Sequence, residues 1–179
     1  YSPSGRLPVS FPRSPGQQPY YYARKSGGRP NPPGPLAEYK THYRNIPHSA
    51  LYPFGHGLSY TTFAYRNLKT SAPSLSANGQ IDVSVVVKNT GRRAGDEVVQ
   101  LYVKHLDSAV SRPLKELKAF TRIHLAPQEE KTVHLSLPAS RLAYWNAETD
   151  RWVVEKDQIE IIVGGSSTDA KLRKTIRVQ

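Results

Sequence analysis

The chain has 179 residues, enough for one domain with its own core plus extensions. It has no Cys, which excludes disulfides and thiolate metal sites, and it has no apolar run long enough to span a bilayer. Lys and Arg number 25 against 14 Asp and Glu, a formal charge of +11, yet the basic residues are scattered, no five like charges adjoin and no nucleic-acid motif is present, so no nucleic-acid partner is expected.

Met is absent as well. A primary product starts with Met, and removing that Met requires a small second residue. Tyr1 is not small, so a cut from a longer precursor is expected. No signal peptide remains, and the lack of Cys leaves the compartment undecided.

Most of the Pro lies in the first fifty residues. The stretch SGGRPNPPGP (26–35) can carry neither helix nor central strand and reads as an extended linker running over a surface. Tyr20, Tyr21 and Tyr22 precede it, and Tyr39 and Tyr43 follow, which suggests a linker held down by aromatic contacts. Next comes the most distinctive segment, 52–63, reading YPFGHGLSYTTF. Pro53 sets φ, Gly55 and Gly57 permit backbone shapes that other residues resist, and Tyr52, Phe54, Tyr60 and Phe63 supply apolar area to pin the turn. It holds no strong acid, base or nucleophile, so it reads as a structural junction whose four aromatics are candidates for docking to a neighbouring domain.

From Ser59 onward the pattern is that of strands. Phe63 to Leu68 is the first. Ile81, Val83, Val85 and Val87 alternate with polar residues, as in a half-buried strand. NTGRRAG (89–95) is a turn-rich connection, after which Val99, Leu101 and Val103 alternate with Gln100, Tyr102 and Lys104; the two runs are expected to pair as an antiparallel hairpin. Leu117, Phe120, Ile123 and Leu125 change parity, which predicts a bulge or bend. A turn at Pro127-Gln128-Glu129 leads to Val133, Leu135 and Leu137. One helical turn is expected within 138–146, a short strand at Trp152–Val154, then Ile159, Ile161 and Val163, and finally Ile176 and Val178. Seven or eight short strands with turns at this spacing predict an all-β, antiparallel two-sheet sandwich of immunoglobulin or fibronectin type III character behind an extended N-terminal linker.

Chemistry is sparse. Hydrolysis by paired carboxyl groups needs two of them flanking the scissile bond. Asp96 and Glu97 are strand neighbours pointing to opposite faces, while Glu129, Glu130, Glu148 and Asp150 sit in turns; all are expected to be solvated surface groups. Among the histidines, His42, His48, His56, His105, His124 and His134, no metal-ligand spacing is found, although His124 and His134 could face each other across adjacent strands. Tyr144, Trp145 and Trp152 are weaker candidates for a sugar-stacking platform; the competing reading places Trp145 and Trp152 in the core or against a neighbouring domain.

The junction YPFGHGLSYTTF closely resembles the one near the C-terminal end of family-3 glycoside hydrolases, the β-glucosidase and β-xylosidase group, where it leads into a fibronectin type III-like domain. PSGRLPVSFPRSPGQQPYYY upstream resembles the last strand of that family's α/β sandwich domain and its exit. VVVKNTGRRAGDEVVQLYV, RPLKELKAF and LAPQEEKTVHLSL resemble successive strands of the accessory domain. The resemblance implies three parts: 1–22 as the remnant of the α/β sandwich domain, 23–58 as the linker and 59–179 as the fibronectin type III-like domain. It implies a parent that hydrolyses terminal β-linked sugars with retention, through a covalent glycosyl-enzyme. The family's catalytic Asp and Glu would both lie upstream of Tyr1, so no catalytic, cofactor or metal residue is assigned here. The implied partners are the upstream barrel and α/β sandwich domains, with an oligosaccharide substrate bound by the parent, no membrane, and room for a homodimer; the implied location is periplasmic or secreted. The alternative is a stand-alone carbohydrate-binding or immunoglobulin-like interaction module.

Overall fold

The computed structural model describes residues 1–27, 43 and 45–179. Most of the proline-rich tract, with Tyr39 and His42, lies outside the described residues. The strands are β1 (Phe63–Thr70), β2 (Ser74–Leu75), β3 (Gln80–Asn89), β4 (Gly95–His105), β5 (Glu116–Leu125), β6 (Glu130–Pro138), β7 (Tyr144–Asn146), β8 (Arg151–Val153), β9 (Asp157–Gly164) and β10 (Ala170–Val178). One sheet has the order β1-β3-β6, the second β2-β10-β9-β4-β5, and β7-β8 form a separate two-stranded hairpin. Pairing is antiparallel except between β2 and β10. This is the all-β sandwich the periodicity predicts.

The core follows from the period-2 pattern. Ile81, Val83, Val85 and Val87 of β3 and Val133, Leu135 and Leu137 of β6 face Val99, Leu101 and Val103 of β4 and Ile159, Ile161 and Val163 of β9. β-branched side chains dominate, and they suit a pleated surface packed on another sheet. The expected helical turn is the 3₁₀ turn Ala139–Leu142, and Ala139 and Leu142 close the core beneath it. Opposite Leu101 and Tyr102, β5 skips Lys118, the bulge that the parity change predicted.

One pairing differs from expectation. β3 and β4 form no hairpin: β3 pairs with β1 and β6, while β4 pairs with β5 and β9. The connection 90–94 crosses from one sheet to the other. Both strands carry a continuous apolar face, and only on opposite sheets can each face bury the other. Asn89 secures the crossing. Its buried side chain accepts from Thr61 Oγ1 at 2.5 Å and from Gly91 N at 3.0 Å, and donates to the carbonyls of Arg93 and Leu125 at 2.7 and 3.1 Å.

His124 and His134 also fail to meet, because β5 and β6 belong to different sheets. Residues 1–22 form no extended strand of their own; they make a bridge at Phe11–Tyr52 and a 3₁₀ turn at Pro15–Gln17.

Leu101 is fully buried between the sheets. Leu101→Ala is expected to lower the unfolding free energy by about 3 kcal/mol, read as a shift of the urea midpoint at unchanged slope.

Candidate functional site

The sandwich has two poles. β3 runs from Gln80 to Asn89 while β4 and β9, on the facing sheet, run oppositely to one another; Asn89, Gly95, Gly164 and Ala170 mark one end, and Gln80, His105, Asp157 and Val178 the other. The junction occupies the first pole.

There the N-terminal segment lies alongside the junction. Leu7 N donates to His56 O and Gly55 N to Leu7 O; Phe11 N donates to Tyr52 O and Leu51 N to Phe11 O, all within 2.8–2.9 Å. Ser10 and Ser2 add side-chain bonds to Phe54 N and Tyr60 N. Both junction glycines have steric causes. Gly55 has φ +81, and a Cβ there would meet Gln100 Oε1 at 2.2 Å; a Cβ on Gly57 would meet Gly5 O at 2.3 Å.

This ribbon is fastened to the outer face of β4. Gln100, 2% exposed, donates to the Gly55 and Gly165 carbonyls at 3.2 and 2.6 Å and accepts from Tyr102 Oη at 2.5 Å. Ser167 N donates to Phe54 O at 2.9 Å. Tyr22 stacks on Phe54 with centroids 4.1 Å apart, and it meets Tyr102 edge-on at 6.0 Å. Tyr22 Oη also accepts from Leu117 N, and Tyr20 Oη from Ala50 N. Of the aromatics flanking the linker, Tyr22 therefore grips this chain's own sandwich and Tyr20 the segment before the junction, and β4 is buried on both faces.

Glu97 departs from the expected solvated acid. It is buried at the top of the core, where Arg6 Nη2 reaches Oε2 and Tyr65 Oη, from the opposite sheet, reaches Oε1, each at 2.6 Å. Burial pushes its carboxyl pKa up, against the pull of Tyr65 and Arg6. Two further nitrogens of Arg6, Nε and Nη1, are buried without a partner among the described residues. Asp96, its strand neighbour, faces outward; the hydrogen bond from His124, joined by Arg122, holds its carboxyl below the usual range.

The four docking candidates separate. Tyr52 and Tyr60 are 46% and 66% exposed. Phe54 is half-buried in its stack with Tyr22, and Phe63 packs against the core. Tyr1, Val9, Phe11, Leu51 and Leu58 join Tyr52 and Tyr60 as exposed apolar side chains on the ribbon. They amount to seven of the fourteen large exposed apolar residues among those described, concentrated on two short paired segments.

The opposite pole carries the weaker candidates. Trp145 and Trp152 are direct cross-strand partners, so their rings share one face of the β7-β8 hairpin, 5.8 Å apart at 75°. They are 48% and 68% exposed, so the reading that places them in the core is corrected: a three-residue hairpin standing apart from both sheets has no apolar layer to cover them. Tyr144 is one residue out of phase and faces the other way, where Arg112 lies 5.3 Å from its ring centroid.

Behind the hairpin is a cluster that sequence reasoning missed. His105 Nδ1 donates to Asp157 Oδ2 at 2.5 Å, and Arg112 Nη2 donates to His105 Nε2 at 2.8 Å. A guanidinium only donates, so Nε2 presents its lone pair and the imidazole is neutral. Burial is the largest cause lowering the His105 pKa; Arg112 adds to it, and Asp157 opposes it. Arg112 also bonds Leu142 O, while Glu155 accepts from Ser108 Oγ and Ala109 N. His105, Glu155 and Asp157 bring ligand atoms within 4.8 Å of one another. Each already holds a hydrogen-bond partner and Arg112 supplies the positive charge, so the cluster does not fit a metal ion. It braces the hairpin instead. His105 and Asp157 lie 52 positions apart, and no local pattern could have paired them.

The fibronectin type III-like domain family matches residues 97–167. The chain is 40% identical over 171 residues to a periplasmic β-glucosidase of Salmonella typhimurium, covering 96% of this chain and 22% of that protein. It is 41% identical over 186 residues to thermostable β-glucosidase B of Acetivibrio thermocellus, covering 99% of this chain and 24% of that protein. The crystal structure of a β-glucosidase from Listeria innocua in complex with glucose superposes with TM-score 0.89 at 38% identity, over 99% of this chain and 24% of that one. The chain thus spans less than a quarter of the length of these curated relatives.

Two outcomes are expected from this geometry. Arg6→Ala, which leaves Glu97 buried without its cation, should cost about 3 kcal/mol in a urea titration. For His105, the lowered folded pKa means that the native state binds the proton less well than the unfolded chain. Its contribution is full above the ordinary imidazole value of 6.5 and is lost as pH falls through the folded value. Melting temperature should therefore drop less on acidification in His105→Gln than in the parent chain, as measured by circular dichroism.

Proposed function

We propose that this chain, which corresponds to the C-terminal part of family-3 glycoside hydrolases of the β-glucosidase type and carries their fibronectin type III-like domain, is a non-catalytic buttress for catalytic domains preceding it. In this reading residues 1–22 are the tail of an α/β sandwich domain, 23–58 the linker and 59–179 the accessory domain. The complete protein hydrolyses terminal β-linked sugars with retention, using two carboxylates supplied by the upstream domains. A periplasmic or secreted location accords with the periplasmic name of one relative.

The observation that carries the reading is the apolar ribbon at the junction pole. A soluble surface rarely gathers so many large apolar side chains on adjoining segments unless something covers them. The ribbon's own backbone is already paired and anchored through Gln100 and Ser167, so it presents this face without needing the partner for its shape. Tyr52 and Tyr60 project from it as the contact residues, while Phe54 and Phe63 fix it from within. The partner-free nitrogens of Arg6, at the same pole, fit an acceptor delivered by the covering domain. The described buried carboxylates are each committed inside the sandwich, Glu97 to an ion pair with Arg6 and Asp157 to the hydrogen bond from the neutral His105, which favours cleavage by the upstream domains.

Comparing the 179-residue chain with the complete protein tests this. Tyr52→Ala should change the stability of the chain alone by less than about 1 kcal/mol, and should destabilise the complete protein by about 3 kcal/mol as its ring leaves a buried interface. Phe54→Ala should destabilise both, because its stack lies within the chain. Equal effects of Tyr52→Ala in the two contexts would remove the docking role. Aryl β-glucoside hydrolysis by the complete protein, with none by this chain, is the expected activity pattern.

A further inference from the structure

At the pole away from the junction, the two tryptophans, the only two in the chain, stand on one face of a small hairpin, largely in water. The sandwich core uses neither. Beside Trp152 runs a groove of about 850 Å³ whose lining includes Pro138, Ala143 and Val154 together with the polar Asn78, Gln80 and Ser140. Among the described residues no Asp, Glu, Lys or Arg lines it, in a chain whose net charge is +11. An uncharged lining gives no recognition to phosphates, acidic peptides or cations. Neutral amides and a hydroxyl beside a flat ring suit a ligand with apolar ring faces and hydroxyl edges.

The hairpin is also held rigidly from behind. Arg112 ties down Leu142 O just before β7 and covers the far face at Tyr144, while Glu155, just after β8, is bonded to Ser108 and Ala109. Half-buried side chains are thus committed to fixing the position of two rings that contribute nothing to the core. A fixed aromatic platform loses little entropy on binding.

We propose that the Trp145–Trp152 hairpin and the adjoining groove form a binding site for a neutral β-linked glucan chain. The pyranose character of the ligand is argued from the groove; the choice of β-linked glucose rests on the function proposed above. Lying at the opposite pole, the site stays open when the junction is covered, so it would hold a polymer while the upstream domains act on chain ends.

Because both tryptophans are in the site, the intrinsic fluorescence of the 179-residue chain reports on it alone. The chain is titrated with cellohexaose and laminarihexaose, with maltohexaose as the α-linked control. A saturable blue shift with at least one β-glucan and none with maltohexaose is expected. Trp152→Ala should weaken the affinity about tenfold or more, read from Trp145 emission. Gln80→Ala should weaken it about fivefold while leaving the ligand-free spectrum and the melting temperature unchanged. Trp152→Phe, which keeps a ring, should retain most of the affinity and serves where Trp152→Ala does not fold. Unchanged emission with both β-glucans at about 5 mM, an equal response to maltohexaose, or wild-type affinity in Gln80→Ala would each overturn the proposal. The titration uses no upstream domain. A complete protein inactive on aryl β-glucosides would therefore defeat the proposed function while leaving this binding result readable, and the reverse also holds.

Discussion

A buried primary amide has two hydrogens and one oxygen to satisfy, and at Gln100 all three groups are committed. The hydrogens go to the carbonyls of Gly55 and Gly165, and the oxygen takes the Tyr102 hydroxyl. One carbonyl belongs to the junction, the other to the turn after β9, and the side chain between them to β4. Deleting the amide would leave two backbone acceptors buried without a donor, a penalty of roughly 1–3 kcal/mol for each group. Gly55 is glycine because this approach is so close: any side chain there would occupy the amide's place. The stacking of Tyr22 on Phe54, the burial of Tyr102 and the double coverage of β4 all depend on the ribbon lying where Gln100 holds it.

Around that constraint the molecule divides its work by position. The middle of the sandwich is a plain aliphatic core, and the buried polar groups lie at its ends or outside it: Asn89 and Glu97 toward the junction, His105 and Asp157 at the far pole, and Gln100 on the outer face of β4. A buried polar group gains little net stability when satisfied and costs much when it is not. Placing such groups where the chain crosses between sheets or leaves a strand penalises every alternative crossing. Asn89 does so for the passage from β3 to β4, and Glu97 ties Tyr65 of β1 and Arg6 of the N-terminal segment to β4. The two poles then present different chemistry on a rigid spacer. One face is apolar and broad, suited to a domain; the other is aromatic, uncharged and narrow, suited to a small neutral ligand.

Strand periodicity, the bulge in β5 and the 3₁₀ turn after β6 are legible along the chain, because alternation, parity and turn composition are properties of neighbours a few positions apart. The phrases of the junction and strands, read together, also carry the resemblance to family-3 glycoside hydrolases. The sandwich and the resemblance therefore need no coordinates. What the same alternation could not supply is which sheet a strand joins. The runs at Ile81–Val87 and Val99–Val103 read as a hairpin, yet their apolar faces oppose each other across the core. It also misjudged Glu97, polar and charged in a strand but sealed by an arginine 91 positions away, and it treated Gln100 and Tyr102 as an outward face that the junction in fact covers.

The amino-acid order by itself thus determines the local shapes, the class of fold and the resemblance to β-glucosidases, since those depend on side-chain spacing and short motifs. Only the tertiary structure decides which polar groups are partnered, which aromatics are spent on the chain's own packing, and which are left facing water. Burial belongs to whatever arrives from the far end of the chain to cover a residue. Tyr22 and Phe54 are covered in that way, while Trp145 and Trp152, equally aromatic in the sequence, are not.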